Sequence, residues 1–159
     1  MKDAFCQAHV YCVCCKKEYR AQGGHVTKSV FFEKTYQDAI QLLERAHGYA
    51  ESDLPRHLER MEPFDALRTS AEVMRITARL SQVMTWLMAQ KAADAGLMSI
   101  EEASGPEYKP TNEPTCADAT DEELLKFMPS MVGTLLDESL NLYVRVARLS
   151  DLHARQEEN

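Results

Sequence analysis

Residues 65–96, DALRTSAEVMRITARLSQVMTWLMAQKAADAG, decide the fold because they hold the longest uninterrupted helical pattern in the chain. Asp65 can cap the start of this helix, and Gly96 stands where helices commonly end in a left-handed residue. At 1.5 Å per residue the helix would be about 45 Å long. Its two apolar stripes are Val73, Ile76, Leu80, Val83 and Leu87, and Leu67, Ala71, Met74, Ala78 and Met88. Because so much of its circumference is apolar, we expect neighbours on more than one side.

The narrow polar side of this helix is our candidate partner-binding site. It comprises Arg68, Glu72, Arg75 and Arg79, with Trp86 on the same line beyond Gln82. Trp and Arg are enriched among the residues that dominate binding energies. The alternative interpretation is a solvated row of weak ion pairs, with Trp86 buried in the bundle or in a dimer because of its large apolar surface.

Two more long helices are predicted on either side of this one. The first runs from about Ser29 to Ala50, and the third opens at Thr120, whose capping box with Glu123 precedes a kink or restart at Pro129. Their apolar stripes are Phe32, Tyr36, Ala39, Leu43 and Ala46 in the first, and Val132, Leu135, Ser139, Leu142, Val146 and Leu149 in the third. The fold class is therefore all-α, an antiparallel three-helix bundle.

Short segments connect and flank these helices. Ser52, Asp53 and Pro55 favour one helical turn before the central helix, and Ser99 with Glu102 forms a capping box for a turn after it. Residues 104–119 contain three prolines and no periodicity, so we predict a mobile or functional loop. The bundle is assigned to residues 29–153, a poorly ordered extension to 1–28, and a frayed tail to 154–159.

Charge and cysteine usage exclude several classes of function. A net charge of −7 disfavours nucleic-acid binding, and the charge-free run between Arg79 and Lys91 is about half of what a membrane span needs. Cys6, Cys12, Cys14 and Cys15 crowd the first fifteen residues, unlike the scattered pairs of a secreted disulfide framework. We therefore expect a cytoplasmic protein that binds neither nucleic acid nor membrane.

Two patterns favour a metal site, and both are incomplete. Cys6, His9, Cys12 and Cys14 could surround zinc, but no second ligand doublet follows downstream. Glu44 and His47 form a Glu-x-x-His unit, of which di-iron bundles need two, so His47 is interpreted as a core or interface residue. We predict no catalytic residues, no metal and no cofactor.

Three runs of the sequence resemble one known family. They are Phe32–Leu43, FEKTYQDAIQLL; Ser70–Leu80, SAEVMRITARL, followed by WLMAQKA from Trp86; and Ser139–Leu149, SLNLYVRVARL. In this order, over residues 29–152, they resemble the regulator-of-CtrA-degradation (RcdA) family. The resemblance implies a homodimeric three-helix bundle without enzymatic activity.

The resemblance also implies partners. Proteins of this kind act as adaptors for the ClpXP protease in the bacterial cell cycle, associating with a protease primed by a response regulator. They help deliver substrates, including a master transcriptional regulator, through a cyclic-di-GMP-binding partner. The alternatives are a helical dimeric regulator or assembly protein unrelated to proteolysis, and a metalloenzyme.

Overall fold

The computed structural model describes residues 26–157, and every regular element within that range is a helix. The three long helices are α1 (Val26–Ser52), α3 (Pro63–Asp94) and α7 (Ser130–Glu157). The four short helices are α2 (Leu54–Leu58), α4 (Ile100–Ala103), α5 (Pro114–Ala117) and α6 (Glu122–Leu125). The all-α class is confirmed. Most of the predicted N-terminal extension lies outside the described residues.

The structure confirms the predicted C-terminal cap of α3 and not the predicted N-terminal cap. Gly96 has a φ of 71°, and the amide groups of Gly96 and Leu97 donate to the carbonyl groups of Ala93 and Ala92. This is the predicted left-handed stop. The predicted start was wrong, because α3 already begins at Pro63 and Asp65 lies within its first turn. Proline fits the first helical position, where no backbone donor is required.

The short helices and α7 differ from the prediction at one cap and one end. The Ser99–Glu102 capping box of α4 is present, as predicted. The Thr120–Glu123 box is not, because Asp121 caps α6 and accepts a hydrogen bond from the Glu123 amide. Helix α7 restarts after the proline at Ser130 and continues to Glu157, so it extends into the segment predicted to fray.

The three long helices do not all alternate in direction. Arg45 pairs with Glu138 and Asp38 with Arg145, each at 2.7 Å, so α1 and α7 run antiparallel. The Glu33–Lys91 pair joins the start of α1 to the end of α3, so these two helices are also antiparallel. It follows that α3 and α7 run parallel, which corrects the fully antiparallel bundle expected from the sequence.

This parallel pair explains the length of the connection between α3 and α7. The chain leaves α3 at the end opposite to where α7 must begin, so it has to travel back along α3. We call residues 95–129 the crossover segment. Gln90 bonds to Ala103, Gln82 to Thr111, Arg79 to Cys116 and Asp118, and Glu72 to Thr120. The crossover segment therefore runs back along α3, contacting it first near its C-terminal end and last near its N-terminal end.

The apolar core lies where α3 faces α1 and α7. Val83, Leu87, Val132 and Val146 are fully enclosed, and Cys116 of the crossover segment joins the same cluster. Val83 and Leu87 belong to the apolar stripe predicted for α3, and Val132 and Val146 belong to the stripe predicted for α7. Burial of such side chains is the main source of stability in a bundle of this size.

Candidate interaction surfaces

The predicted partner-binding residues of α3 separate into buried and exposed groups. Glu72, Arg79 and Trp86 are buried, Arg75 is half-buried, and Arg68 is exposed. The crossover segment covers the middle of this polar side. The five residues therefore do not form one exposed docking surface, which corrects the sequence-based hypothesis. Helical periodicity shows which residues share a face but not which other segments cover that face.

Arg79 fastens the crossover segment to the bundle. Its side chain is 0% exposed and donates hydrogen bonds to the carbonyl oxygens of Cys116 (2.9 Å), Asp118 (2.6 Å) and Leu136 (3.1 Å). A fourth bond, of 3.3 Å, goes to the hydroxyl oxygen of Ser139 on α7. One guanidinium thus holds three parts of the chain together, using the planar donor geometry that arginine provides.

None of the four acceptors around Arg79 carries a charge. Burial lowers the pKa of this guanidinium from its usual value, and the neighbouring Arg75 lowers it further. The buried acid on the same side, Glu72, accepts from Thr120 at 2.7 Å and pairs with Arg75 at 3.3 Å. The buried polar groups of α3 therefore have their hydrogen-bond partners within the chain, and they stabilise the fold.

Trp86 closes one end of the bundle. Its ring lies 6.1 Å from the Phe32 ring of α1 and 5.7 Å, edge to face, from the imidazole of His153 on α7. Both are ordinary aromatic contact geometries. The alternative interpretation of Trp86, burial within the bundle, is what the structure shows.

An aromatic–arginine pair is exposed at the start of α3. The Arg68 guanidinium lies 5.2 Å from the centre of the Phe64 ring, and both Phe64 and the adjacent Leu67 are about two-thirds exposed. Such an arginine–aromatic stack is worth about 0.5–1 kcal/mol at an exposed site. Of the predicted partner-binding residues, Arg68 is the one that remains fully at the surface.

A second exposed feature of α3 follows its predicted second apolar stripe. We call Leu67, Ala71, Met74, Ala78, Ser81, Thr85, Met88 and Ala92 the uncharged stripe. Leu67 is 68%, Met74 73% and Met88 57% exposed. The sequence predicts that α3 is covered on several sides, yet the described part of the chain leaves this side open.

A groove lies beside the uncharged stripe, between α1 and α3. It has a volume of about 350 Å³, and its walls are mainly apolar. Leu43, Ala46 and His47 of α1 face Val73 and Met84 of α3 across it, and Leu135 of α7 contributes to its lining. The groove shows that α1 covers α3 incompletely on this side.

The remaining chemical candidates do not assemble into a site within residues 26–157. No group of three or more metal-binding side chains occurs there, and Cys6, His9, Cys12 and Cys14 lie outside the described residues. His47 is exposed beside Glu51 rather than in the core. Burial raises the pKa of the Cys116 thiol, which disfavours the nucleophilic thiolate.

No helix within residues 26–157 is long and apolar enough to cross a membrane.

Comparison with known proteins identifies the family. Residues 23–159 match the family described as "Protein of unknown function (DUF1465)". The crystal structure of RcdA from Caulobacter crescentus CB15 superposes with a TM-score of 0.62 at 30% sequence identity, covering 77% of this chain and 89% of that one. No curated protein gives a significant match. The family match and the shared fold together show that this chain belongs to the DUF1465 family and is an RcdA-like protein.

Proposed function

We propose that this chain is a non-enzymatic adaptor that helps deliver substrates to the ClpXP protease. The observation that carries the proposal is the match to RcdA over 89% of that protein's length, at 30% identity and with a common fold. Regulators of this family are connected by name with degradation of the transcription regulator CtrA. The proposed clients are therefore cell-cycle transcription regulators, in the cytoplasm.

The organisation of the polar groups supports a binding role. Arg79, Glu72 and Thr120 satisfy one another or the crossover backbone, so the polar side of α3 holds the fold. What α3 offers to other molecules is its exposed first turn and its uncharged stripe. Surfaces of this kind suit protein partners, because arginine and aromatic side chains frequently dominate binding energies.

The proposed partners are those of an adaptor that works in an assembly. They are ClpXP primed by a response regulator, and a cyclic-di-GMP-binding protein that brings in the substrate. We assign the exposed Phe64–Arg68 pair to one of these contacts. Its cation and its aromatic face would receive an acidic and apolar segment of a partner.

Client half-life is the direct test in cells. Deleting the gene should lengthen the half-life of specific proteins after translation is stopped, and restoring the wild-type chain should shorten it again. Restoration with Phe64→Ala and Arg68→Ala together should fail, whereas Gln41→Ala, at an exposed position of α1, should succeed. Unchanged half-lives across the proteome on deletion would contradict the adaptor function.

The second candidate is a helical regulator or assembly protein unrelated to proteolysis. The open uncharged stripe on α3 favours it as much as it favours an adaptor, because a self-associating scaffold needs such a face. Under this function, pull-downs would recover stable complexes without ClpXP, and client half-lives would not change. The same deletion experiment therefore separates the two functions.

A further inference from the structure

The guanidinium group of Arg79 divides its donors between two parts of the chain. Its Nη1 donates to the Leu136 carbonyl oxygen at 3.1 Å and to the Ser139 hydroxyl oxygen at 3.3 Å, so α7 holds this atom. Its Nε and Nη2 donate to the carbonyl oxygens of Cys116 (2.9 Å) and Asp118 (2.6 Å). The bundle therefore fixes the orientation of the group, and the crossover segment occupies its Nε–Nη2 edge.

The Nε–Nη2 edge of an arginine matches the shape of a carboxylate. Two parallel N–H donors on one side of a planar guanidinium bind both oxygens of a carboxylate at once, and the opposite charges add to the hydrogen bonds. In Arg79 the places of these two oxygens are taken by two separate main-chain carbonyl oxygens. The crossover segment thus meets the geometry of this edge without supplying a negative charge.

The part of the chain that covers this edge contributes little to the core. Within residues 104–119, Cys116 is the one buried residue, and Asp118 is exposed. Segments with little buried surface open locally at a lower free-energy cost than the core helices. Further side-chain hydrogen bonds hold the covering residues to the long helices, and they join Thr111 to Gln82 and Tyr143, and Thr120 to Glu72. The covering residues can therefore open while the bundle stays folded.

The charges around the edge favour an anion once the cover has moved. Arg75 lies one turn before Arg79 on α3 and pairs with Glu72 at 3.3 Å, so these three side chains carry one net positive charge. Glu113 and Asp118 belong to the cover and leave with it. In a chain with a net charge of −7, this exposed positive surface would attract an acidic segment locally.

We propose that the Nε–Nη2 edge of Arg79 is a carboxylate-binding site that the crossover segment masks, and that an acidic segment of a partner protein takes this edge and displaces residues 111–118. The ligand is an Asp or Glu carboxylate within an acidic stretch. Because that stretch binds the open form alone, it shifts the chain towards opening. The site involves this chain and a carboxylate, so it can fail without affecting the proposed delivery to ClpXP.

Cys116 provides a direct readout of the displacement, because its thiol is buried in the closed form and lies among the displaced residues. The experiment uses a chain whose other four cysteines are changed to serine. A saturating synthetic polyglutamate peptide should accelerate labelling of Cys116 by at least about 10-fold, because it populates the open form. A glycine–serine peptide of the same length should leave the labelling rate unchanged.

Variants of the cover and of the site separate the proposal from general charge effects. Tyr143→Phe with Thr120→Val removes two bonds that hold the crossover segment and leaves Arg79 in place. This loosened variant should bind polyglutamate at least about 10-fold more tightly than the wild type, since more molecules are open. Adding Arg79→Lys, which keeps the charge but not the paired donors, should remove most of this binding. Adding Arg148→Lys instead, at an exposed position of α7, should leave it unchanged.

Circular dichroism checks that every variant keeps its helix content and melts cooperatively. Equal binding of polyglutamate with and without Arg79→Lys would overturn the proposal, because other cations would then account for the contact. A loosened variant that binds no more tightly than the wild type would also overturn it. Binding that leaves the labelling rate of Cys116 unchanged would contradict displacement of the crossover segment.

Discussion

At the scale of single residues, Arg79 does the most to define this molecule. Its four uncharged acceptors come from α5, the segment after it, and α7, so it links the crossover segment to the bundle. The sequence predicts its helical face correctly and its role wrongly. Periodicity cannot show that a distant proline-containing segment returns to cover that face.

Replacing Arg79 with methionine should lower the free energy of unfolding by about 3 kcal/mol, because the buried Cys116 carbonyl oxygen and the partly buried Asp118 carbonyl oxygen lose a charged donor. Urea denaturation measures this change, and hydrogen exchange should increase at residues 111–118. Arg68→Met, which removes an exposed arginine and its stack on Phe64 from the same helix, should lower the free energy of unfolding by about 1 kcal/mol at most. Equal effects of the two substitutions would contradict a stabilising role for the buried Arg79 hydrogen bonds.

The Cys116 thiol should be unreactive in the folded chain. Burial raises its pKa, so the thiolate fraction at a given pH is smaller than for a free cysteine, and reagents cannot reach the sulfur. In a variant with Cys6, Cys12, Cys14 and Cys15 changed to serine, labelling at pH 8 should be slow and should accelerate on adding denaturant. Rapid labelling of the native protein would mean that the crossover segment opens readily.

At the scale of elements, the long helices and the caps at Gly96 and Ser99 could be predicted from sequence. Their signals are local, since each depends on residues within one turn of each other. The relative direction of α3 and α7 could not be predicted, because it depends on contacts such as Gln82–Thr111 that bring distant residues together. The sequence feature that fits parallel helices is the length of residues 95–129, because the connection has to return along α3.

Two neighbouring positions on α7 test how the bundle is packed. Leu135 is buried against the core and Thr134 is exposed. Leu135→Asp should unfold the protein, costing more than about 4 kcal/mol through an unpaired buried charge, and Val83→Asp in α3 should do the same. Thermal melting followed by circular dichroism should show Thr134→Asp close to wild type. A cooperative wild-type-like melt of Leu135→Asp would contradict the assigned packing.

At the scale of the whole molecule, the described fold is held by contacts among α1, α3, α7 and the crossover segment. We therefore predict that deleting residues 1–25 leaves the melting temperature unchanged. Deleting residues 1–40 should lower it strongly, because this removes Phe32 and Ala39 from their packing positions. A large drop in melting temperature on the shorter deletion would show that the N-terminal residues contribute to the fold.

The interaction surfaces were partly accessible from sequence. The second apolar stripe predicts that α3 needs cover on another side, and that stripe is indeed exposed in the single chain. Which sides of α3 are covered depends on the crossover segment, whose path over α3 the sequence pattern does not show. Arg68 and Arg79 lie on the same polar side of α3, yet Arg68 is exposed whereas Arg79 is buried by the crossover segment and α7.

The most direct test of the central claim, that this chain delivers clients rather than transforms a molecule, is a reconstituted degradation assay. It measures the rate at which ClpXP, with its response regulator and the cyclic-di-GMP-binding partner, degrades a client identified from the half-life experiment. We predict that adding the wild-type chain accelerates client degradation and that the chain itself is recovered intact. Degradation that proceeds at the same rate with and without the chain, under every combination of partners, would contradict the account.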